Sequence, residues 1–246
     1  MTAPLASRIA LVTGASRGIG HALAIALAKL GAHVVATART PGGLEELDDA
    51  IKAAGGTATL VPLDLRDHEG IARLSGALDE RYHKLDILIG NAGVGGPSSP
   101  LDHVQPKDWD EVFAVNVTAN WQLIRALNPL LQRSDAARVV FVTSGASALA
   151  RAYRGPYSAS KAALEALART YAAENASTNV RVNLHSPGPT RTRLRAMVMP
   201  GEDPITLPTA EDVAETIVPL CLPSFQETGR FYDFRARKLM SFRAPE

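Results

Sequence analysis

The sequence has too few cysteines for an intramolecular disulfide and no hydrophobic run long enough for a membrane helix. Cys221 is the only cysteine among 246 residues, so a reducing compartment is expected. No apolar segment approaches the roughly 20 residues that cross a bilayer. Residues 1–8 have neither the charged start nor the apolar stretch of a signal peptide. Together these absences predict a cytoplasmic protein with no membrane partner.

An excess of either charge is also missing. Lysine and arginine number 26 against 25 aspartates and glutamates, which gives a formal net charge of +1. Without a strong overall field, the protein is not expected to bind nucleic acid or an anionic membrane. His68, His83 and His103 lack the spacing of metal ligands, so no metal site is predicted.

Short apolar segments alternate with longer segments of helical periodicity. The length suits one large α/β domain or two small ones, and no repeat or linker divides the chain. Apolar strands joined by helices indicate a parallel sheet that is buried on both faces. The prediction is an α/β fold, a single doubly wound Rossmann domain over 1–246 with helices on both faces. About seven parallel strands are expected, at 9–13, 33–37, 57–61, 85–89, 138–143, 180–184 and 229–233.

The two halves of this domain are expected to differ in role. Residues 1–135 would form the cofactor half, and residues 136–246 the catalytic and substrate half. Residues 187–208 contain five prolines and no regular periodicity. A long irregular segment of this kind is typical of a lid or a binding loop.

A glycine-rich turn follows the first predicted strand. It reads Thr13-Gly14-Ala-Ser-Arg17-Gly18-Ile-Gly20, and a helical segment begins directly after it. Glycines let the backbone approach a pyrophosphate, and the helix N-terminus supplies free N–H groups. The order of strand, turn and helix therefore predicts a dinucleotide site.

A tyrosine and a lysine four residues apart begin the helical segment at 157–175. On a helix, Tyr157 and Lys161 lie one turn apart on the same face. An ammonium beside a phenol would lower the tyrosine pKa from its usual value of about 10. Such a tyrosine can be the general acid or base of a carbonyl/alcohol reaction. Taken alone, the spacing also fits a solvated helix face.

Further motifs make the chain resemble the short-chain dehydrogenase/reductase family along nearly its whole length, with an overall pattern like that of bacterial 3-oxoacyl reductases. The glycine spacing, Asn91-Ala92-Gly93 and a Pro187-Gly188 turn match family motifs, and Ser144 lies thirteen residues before Tyr157, where the family places its serine. The resemblance implies catalytic roles for Ser144, Tyr157, Lys161 and Asn116. It implies cofactor contacts from Gly14, Ser16, Arg17, Gly18, Ile19, Gly20, Arg39, Asp64, Leu65, Asn91, Ala92, Gly93, Tyr157, Lys161, Pro187, Gly188, Thr190 and Thr192.

The resemblance also implies the chemistry. Tyr157 would donate a proton to a carbonyl oxygen as hydride leaves the nicotinamide. Lys161 would lower the tyrosine pKa and hold the nicotinamide ribose, Ser144 would bind the substrate oxygen, and Asn116 would hold a water. From the residues alone, Ser144 could instead satisfy a strand end, Ser147 could replace it, and Asn116 could be structural.

The type of residue after the second predicted strand indicates whether an enzyme of this shape prefers NAD or NADP. Enzymes of this shape that use NAD place an acidic residue there for the ribose 2′-OH. This chain has Ala38 followed by Arg39, with Arg17 in the glycine turn. Two guanidinium groups and no carboxylate suit a 2′-phosphate. NADP(H) is therefore expected in preference to NAD(H).

The substrate stays open beyond a small-molecule carbonyl or alcohol. Arg191, Arg193 and Arg195 in the predicted lid fit an acidic substrate, an acyl thioester or an exposed helix face. A 3-oxoacyl-[acyl-carrier-protein] reductase is one alternative, although only Arg133 matches the basic docking residues that the resemblance implies. His185 could lie at the cofactor edge.

Two alternatives come from other classes: a non-catalytic NADPH-binding sensor or regulator, and a structural oligomerisation module. The intact serine, tyrosine and lysine argue against the first, and the glycine turn argues against the second. The resemblance further implies a homodimer or homotetramer. Trp109 and Trp121, on the long helical segment, would then lie at the interface or pack in the core. The C-terminal segment after Gly229 departs from the family pattern, because it lacks a glycine pair and continues into a basic tail.

Overall fold

The computed structural model describes residues 3–242, which form eight strands and nine α-helices. The strands are β1 (Ile9–Thr13), β2 (His33–Ala38), β3 (Thr57–Pro62), β4 (Ile87–Gly90), β5 (Arg138–Val142), β6 (Arg181–Ser186), β7 (Arg230–Asp233) and β8 (Lys238–Ser241). The helices are α1 (Gly18–Lys29), α2 (Pro41–Ala53), α3 (His68–Tyr82), α4 (Pro106–Phe113), α5 (Ala119–Gln132), α6 (Ala146–Leu149), α7 (Gly155–Glu174), α8 (Arg193–Val198) and α9 (Ala210–Cys221).

All the strands belong to one sheet in the order β3-β2-β1-β4-β5-β6-β7-β8. Strands β1 to β7 are parallel, and β8 pairs antiparallel with β7 at the edge. This confirms the doubly wound α/β fold and adds one strand to the seven that the sequence predicts. Because β8 is short and largely exposed, it has no continuous apolar run to mark it. Residues 230–241 thus form a hairpin.

Helices cover both faces of the sheet, and each face has its own core. Alternate strand residues such as Val12 and Ile89 pack with α1 and α9 on one face. Their neighbours, such as Leu11 and Phe141, pack with α3, α5 and α7 on the other. Because both faces are covered, every residue of β1 and β5 is buried. This explains why those strands are continuous apolar runs rather than alternating ones.

The long helical segment predicted at 107–133 is interrupted at one point. Residues Ala114–Thr118 form a π-helical turn between α4 and α5. Such turns insert an extra residue into a helix and often occur at functional sites. Asn116 lies in this turn, where its side chain pairs with the backbone of Val94. The pairing fixes the asparagine toward the loop that follows β4.

The chain reverses its direction of travel across the sheet between β1 and β4. At such a switch point the connecting loops diverge, and a crevice opens at the carboxyl ends of the strands. The segment 187–208 lies over this edge and contains α8 and a short 3₁₀ turn, Pro204–Thr206. Within residues 3–242, no helix has both the length and the apolar character that a membrane crossing needs.

Candidate active site

A cavity of about 530 Å³ opens at the switch point. It extends from the glycine-rich turn after β1 to the N-terminal half of α7, and α8 covers part of it. Most of the residues that the sequence assigns to the cofactor line this one cavity: Gly14, Ser16, Arg17, Gly18, Ile19, Arg39, Asp64, Leu65, Asn91, Ala92, Gly93, Tyr157, Lys161, Pro187 and Thr192.

The glycines of the first turn are required by close contacts. Gly14 has φ +64°, and a Cβ there would lie 2.9 Å from the Cα of Ala92. A Cβ on Gly20 would overlap the Gly14 carbonyl oxygen and lie 2.5 Å from Asn91 Nδ2. Gly18, with φ +58°, faces Thr192 across the cavity. The turn therefore brings bare backbone to the cavity wall, as a pyrophosphate site requires.

Asn91 fixes this turn to the end of β4. Its Nδ2 donates to the carbonyl oxygens of Thr13 at 2.9 Å and Gly14 at 3.3 Å. Thr13 Oγ1 in turn accepts from the backbone N–H groups of Asn91 and Ala92, at 2.9 and 3.1 Å. These bonds hold the two loops at the switch point together. The asparagine thus supports the sheet, as its motif implies.

Two exposed arginines stand at the far end of the cavity. Within the described part of the chain, neither Arg17 nor Arg39 forms an ion pair at 4 Å or less. Hydrogen bonds from Arg66, and more weakly the charge of Arg39, lower the pKa of Asp64. Thr40 provides no side-chain cap for α2, so the N–H groups of its first turn lack a capping side chain. This end of the cavity is suited to an anion.

The catalytic end is built on α7 and the loop after β5. Tyr157 is half-buried, and burial raises its pKa above the ordinary value. A hydrogen bond with Ser144 and the charge of Arg154 oppose this rise. The Arg154 guanidinium carbon lies 5.2 Å from the centre of the Tyr157 ring. The arrangement keeps the phenol protonated at neutral pH.

Lys161 is one turn further along α7 and is buried. Its Nζ donates to the carbonyl oxygen of Val142 at 2.9 Å and lies 5.8 Å from the centre of the Tyr157 ring. Burial lowers the pKa of Lys161 to about 8, and the charge of Glu165 opposes that shift. The expectation that Lys161 lowers the pKa of Tyr157 stays a prediction. The ammonium donates toward the end of β5, and the charge of Arg154 lowers the pKa of the phenol.

Asn116 lies behind Gly93 and is fully buried. Its Oδ1 accepts from Val94 N at 2.9 Å, and its Nδ2 donates to Val94 O and Ser160 Oγ, both at 3.0 Å. Ser160 Oγ donates to the Tyr157 carbonyl oxygen at 2.8 Å. The π-helical turn is thereby attached both to the loop after β4 and to α7. No sequence signal marks Ser160, because a serine at this spacing also fits plain packing.

Comparison of the chain with known proteins identifies its family. The short chain dehydrogenase family model matches residues 8–203. The chain belongs to the short-chain dehydrogenase/reductase family. The oxidoreductase YciK of Escherichia coli is 37% identical over 237 residues, which cover 93% of this chain and 92% of that protein.

Two further relatives bear on the cofactor and the substrate. A 3-oxoacyl-[acyl-carrier-protein] reductase of rhamnolipid biosynthesis from Pseudomonas aeruginosa is 39% identical over 75% of this chain and 73% of its own length. A short-chain dehydrogenase from Shigella flexneri, solved in complex with NADP, is 36% identical with a TM-score of 0.90. The alignment with it covers 95% of this chain and 99% of that one. Members of this family use nicotinamide cofactors.

Five residues to which the family resemblance assigns catalytic roles or cofactor contacts do not line the cavity of this short-chain dehydrogenase. Gly20 packs behind the glycine turn, Gly188 lies under the side chain of Arg235, and the Thr190 hydroxyl bonds within its own turn. Ser144 contacts Tyr157, and Asn116 lies one layer deeper. The five residues that lie beside or behind the lining are Gly20, Asn116, Ser144, Gly188 and Thr190.

Several lining residues of this short-chain dehydrogenase carry no sequence signal. They are backbone or apolar groups at strand ends and on α8, where nothing in the residue type indicates a ligand. Those near Tyr157 and on α8 are Val94, Gly95, Val115, Val142, Thr143, Leu194 and Met197. Some of them come shortly after a motif in the sequence, as Val94 and Gly95 follow Asn91–Gly93. Proximity to a motif is therefore the one sequence signal that could have indicated these residues.

His185 is not at the cofactor edge. It is fully buried in β6, where Nε2 bonds Thr216 Oγ1 at 2.9 Å and the ring stacks on Tyr232. Burial lowers the pKa of His185 to about 3, so the ring is neutral. Between residues 3 and 242, no three His, Cys, Asp or Glu side chains form a group that could hold a metal ion.

Proposed function

We propose that this protein is an NADP(H)-dependent oxidoreductase that interconverts a carbonyl compound and an alcohol, with Tyr157 as general acid and base. One observation carries the proposal. Tyr157, in contact with Ser144 and one turn from Lys161, stands on the wall of the cavity that begins at the glycine-rich turn. The cavity residues fit a nicotinamide dinucleotide, because bare backbone lines one end and a protonated phenol the other.

A nicotinamide held in this cavity would supply the hydride chemistry at its C4, and the protein's own residues supply orientation and a proton. Tyr157 retains its proton at neutral pH because burial raises its pKa. This is the state that a general acid needs for carbonyl reduction. Ser144 stabilises the negative charge that develops on the substrate oxygen. With a pKa of about 8, Lys161 is about nine-tenths charged at pH 7, which suits it to bind ribose hydroxyls.

Asn116 has a positioning role in this proposal. Its side chain joins the loop after β4 to α7 through Val94 and Ser160. That pairing fixes Gly93, whose Cβ position would lie 3.2 Å from Asn116 Oδ1 and 3.6 Å from Lys161 Nζ. The backbone here can approach the cofactor only because no side chain intervenes.

The preference for NADP(H) rests on the anion-suited end of the cavity. Arg17 and Arg39 line the same cavity as Ala38, which stands where NAD-dependent enzymes of this shape have an acidic residue. The uncapped first turn of α2 adds N–H donors. A 2′-phosphate would bind the guanidinium groups in a bidentate manner, whereas a ribose 2′-OH finds no carboxylate acceptor at this position.

The domain halves and the oligomer are part of the same proposal. Residues 1–135 contribute the nucleotide end, residues 136–246 the catalytic end, and residues 187–208 a lid that carries α8 over the cavity. Trp121 is 46% exposed on α5, and Trp109 is 37% exposed on α4. Tryptophans left half in solvent favour a homodimer or homotetramer through this face.

Reduction of 3-oxoacyl groups on a carrier protein is the second candidate, favoured by the Pseudomonas aeruginosa relative. Arg133, the basic residue expected to dock the carrier, forms an ion pair with Asp79 and a hydrogen bond to the His83 carbonyl oxygen. Exposed pairs of this kind are weak, so Arg133 could exchange partners. Assays with acyl-carrier-protein thioesters beside simple ketones separate the two substrates.

The first test replaces the general acid. Tyr157→Phe should abolish NADPH consumption with every ketone while NADPH affinity stays within a few-fold. Tyr153→Phe is the matched control, because Tyr153 is 61% exposed near the same helix and should leave turnover unchanged. Substantial turnover by Tyr157→Phe would refute the tyrosine mechanism. An inactive wild type that binds NADPH would favour the sensor alternative.

The second test exchanges the nucleotide preference. The double substitution Ala38→Asp with Arg39→Ser should weaken NADPH binding and improve NADH binding, measured by fluorescence titration. Arg73→Ser removes an exposed arginine of α3 that pairs with Asp67, and it should change neither affinity. An unchanged ratio of the two affinities in the double variant would contradict the NADP(H) assignment.

A further inference from the structure

An arginine without an acidic partner lies beside the proposed general acid. Arg154 directly precedes α7 and approaches the Tyr157 ring to 5.2 Å. Its Nη1 donates to Ser98 Oγ at 3.3 Å. A Cβ built on Gly95 would lie 3.4 Å from Arg154 Nη2 and 3.1 Å from Leu194 Cδ1. The guanidinium therefore borders the part of the cavity that Tyr157, Gly95 and Leu194 line.

The surroundings of Arg154 contain no compensating charge. Its side chain is half-buried, and no Asp or Glu of residues 3–242 forms an ion pair with it. Burial lowers the pKa of Arg154, the Tyr157 phenol opposes that shift, and the nearby charge of Arg195 adds to it. A cation removed from water without a partner is unfavourable for folding. Its place at the reacting phenol suggests that a ligand supplies the missing anion.

The lid arginines differ from Arg154 in this respect. Arg191 Nε donates to the Pro204 carbonyl oxygen at 2.8 Å. Arg195 forms two bonds to the carboxylate of Glu202, at 2.5 and 2.6 Å. These two side chains hold the lid in its own fold. The third lid arginine, Arg193, lines the cavity but is exposed to solvent. Arg154 differs from all three, because it is half-buried and lies three residues before Tyr157.

We infer that the substrate carries a carboxylate, and that Arg154 binds it beside the carbonyl that reacts at Tyr157. The inference rests on the proposed function, because it names the substrate class of that same site. A guanidinium fork matches a carboxylate with two parallel hydrogen bonds. Because Arg154 contacts the Tyr157 ring, only a few bonds can separate the carboxylate from the carbonyl. Short oxo acids meet this condition.

A purely structural role makes a different prediction. If Arg154 only packs on the Tyr157 ring and anchors Ser98, its loss changes turnover of charged and neutral substrates alike. If it binds a carboxylate, its loss changes their ratio. The ratio also cancels any change in the pKa of Tyr157, since both substrates use the same phenol.

The experiment measures kcat/KM for 2-, 3- and 4-oxopentanoate, each beside its methyl ester, with NADPH. The wild type should prefer at least one acid over its ester. Arg154→Gln should lower that acid-to-ester ratio about 10- to 100-fold, the range expected for a hydrogen-bonded charge pair. Arg154→Lys should retain part of the preference. Arg151→Gln, which removes an exposed arginine three residues away, should keep the wild-type ratio.

A binding measurement covers the case of slow turnover. Pentanoate and a phosphonate of equal length are titrated into the NADPH-loaded enzyme, followed by NADPH fluorescence. Binding of pentanoate that is lost in Arg154→Gln and partly restored in Arg154→Lys supports the inference. Equal binding to wild type and Arg154→Gln, no pentanoate binding, or tighter binding of the phosphonate would overturn it.

Failure of the inference differs from failure of the proposed function. Ester reduction that depends on Tyr157 but shows no preference for the acids overturns the carboxylate site alone. Absence of any Tyr157-dependent reduction, with ketones as well as acids, overturns the function itself. Melting temperatures show whether the two Arg154 variants fold. If Arg154→Gln does not fold, the comparison of Arg154→Lys with the wild type provides the test.

Discussion

Glu165 should control both the position of Ser144 and the charge of Lys161, two residues of the proposed catalytic site. It lies one turn after Lys161 on α7. Its Oε1 accepts from Thr143 Oγ1 at 2.7 Å and from Ser147 Oγ at 2.6 Å. These two hydroxyl groups flank Ser144 on either side, so one carboxylate oxygen holds the serine loop against α7. The negative charge of Glu165 also raises the pKa of Lys161 against the effect of burial.

The expected magnitudes follow from those contacts. Hydrogen bonds to a charged group contribute about 1.5–3 kcal/mol each, and Glu165 is only partly buried, so the lower end applies. Glu165→Ala should therefore reduce the free energy of unfolding by about 2–4 kcal/mol. It should lower kcat/KM about 100-fold, because Ser144 is no longer held in place. Glu165→Gln keeps the acceptor oxygen and should cost only about 1 kcal/mol.

The pH profile separates the electrostatic part from the structural part. Lys161 is charged below a pKa of about 8, so activity that needs the ammonium falls as the pH rises through that value. Glu165→Gln removes the negative charge that raises this pKa. The alkaline limb of kcat/KM should then move to lower pH, with geometry retained.

The assays are urea unfolding and kcat/KM between about pH 6 and pH 10, the range around the pKa of Lys161. Glu174→Gln, an exposed change at the far end of the same helix, should match the wild type in both. Wild-type stability and turnover in Glu165→Ala would refute the positioning argument. An unmoved alkaline limb in Glu165→Gln would refute the coupling to Lys161.

Two further predictions concern the turn and a buried histidine. Gly20→Ala should abolish NADPH binding in a titration, because its Cβ would overlap the Gly14 carbonyl oxygen. Gly76→Ala is the control: a Cβ there meets nothing within 4 Å, and the change should stabilise the fold by about 1 kcal/mol. Wild-type NADPH binding by Gly20→Ala would contradict the packing of the turn. The pKa of His185 is about 3 in the fold, so the unfolded chain takes up a proton below about pH 6.5 that the folded chain does not. His185 should therefore lower the free energy of unfolding by about 2 kcal/mol as the pH falls from roughly 7.5 to 5. Urea unfolding of His185→Gln should lack that part of the pH dependence. An unaltered pH dependence in the variant would exclude this role of His185.

The parallel strands were predictable because burial on both faces forces a continuous apolar run. Ile9–Thr13 is entirely buried, and its predicted bounds match the observed strand. The edge strand Lys238–Ser241 has one face in solvent and mixed residues, so local composition carries no comparable signal for it. What distinguishes it is pairing with β7, a contact that depends on where the turn at 234–237 directs the chain.

The candidate site was predictable to the extent that it depends on backbone geometry. Gly14 has φ +64°, a conformation that favours glycine, so the residue type itself indicates the turn. The partner that each charge faces depends on packing between distant segments, which spacing does not encode. Lys161 and Tyr157 are neighbours by helical spacing, yet the lysine pairs with the Val142 carbonyl oxygen from β5. Arg154, outside every motif, is the cation that acts on the phenol.

One helix gathers the chemistry of this site, and this has a consequence for how mutations act. Arg154, Tyr157, Ser160, Lys161 and Glu165 follow one another at spacings of one to four residues at the start of α7. Three of them bond to different segments: the π-helical turn, the end of β5 and the serine loop. The site is therefore assembled when α7 packs onto the sheet, through buried residues of its inner face. A substitution on that face should reduce stability and turnover together, since packing and the catalytic geometry depend on the same contact.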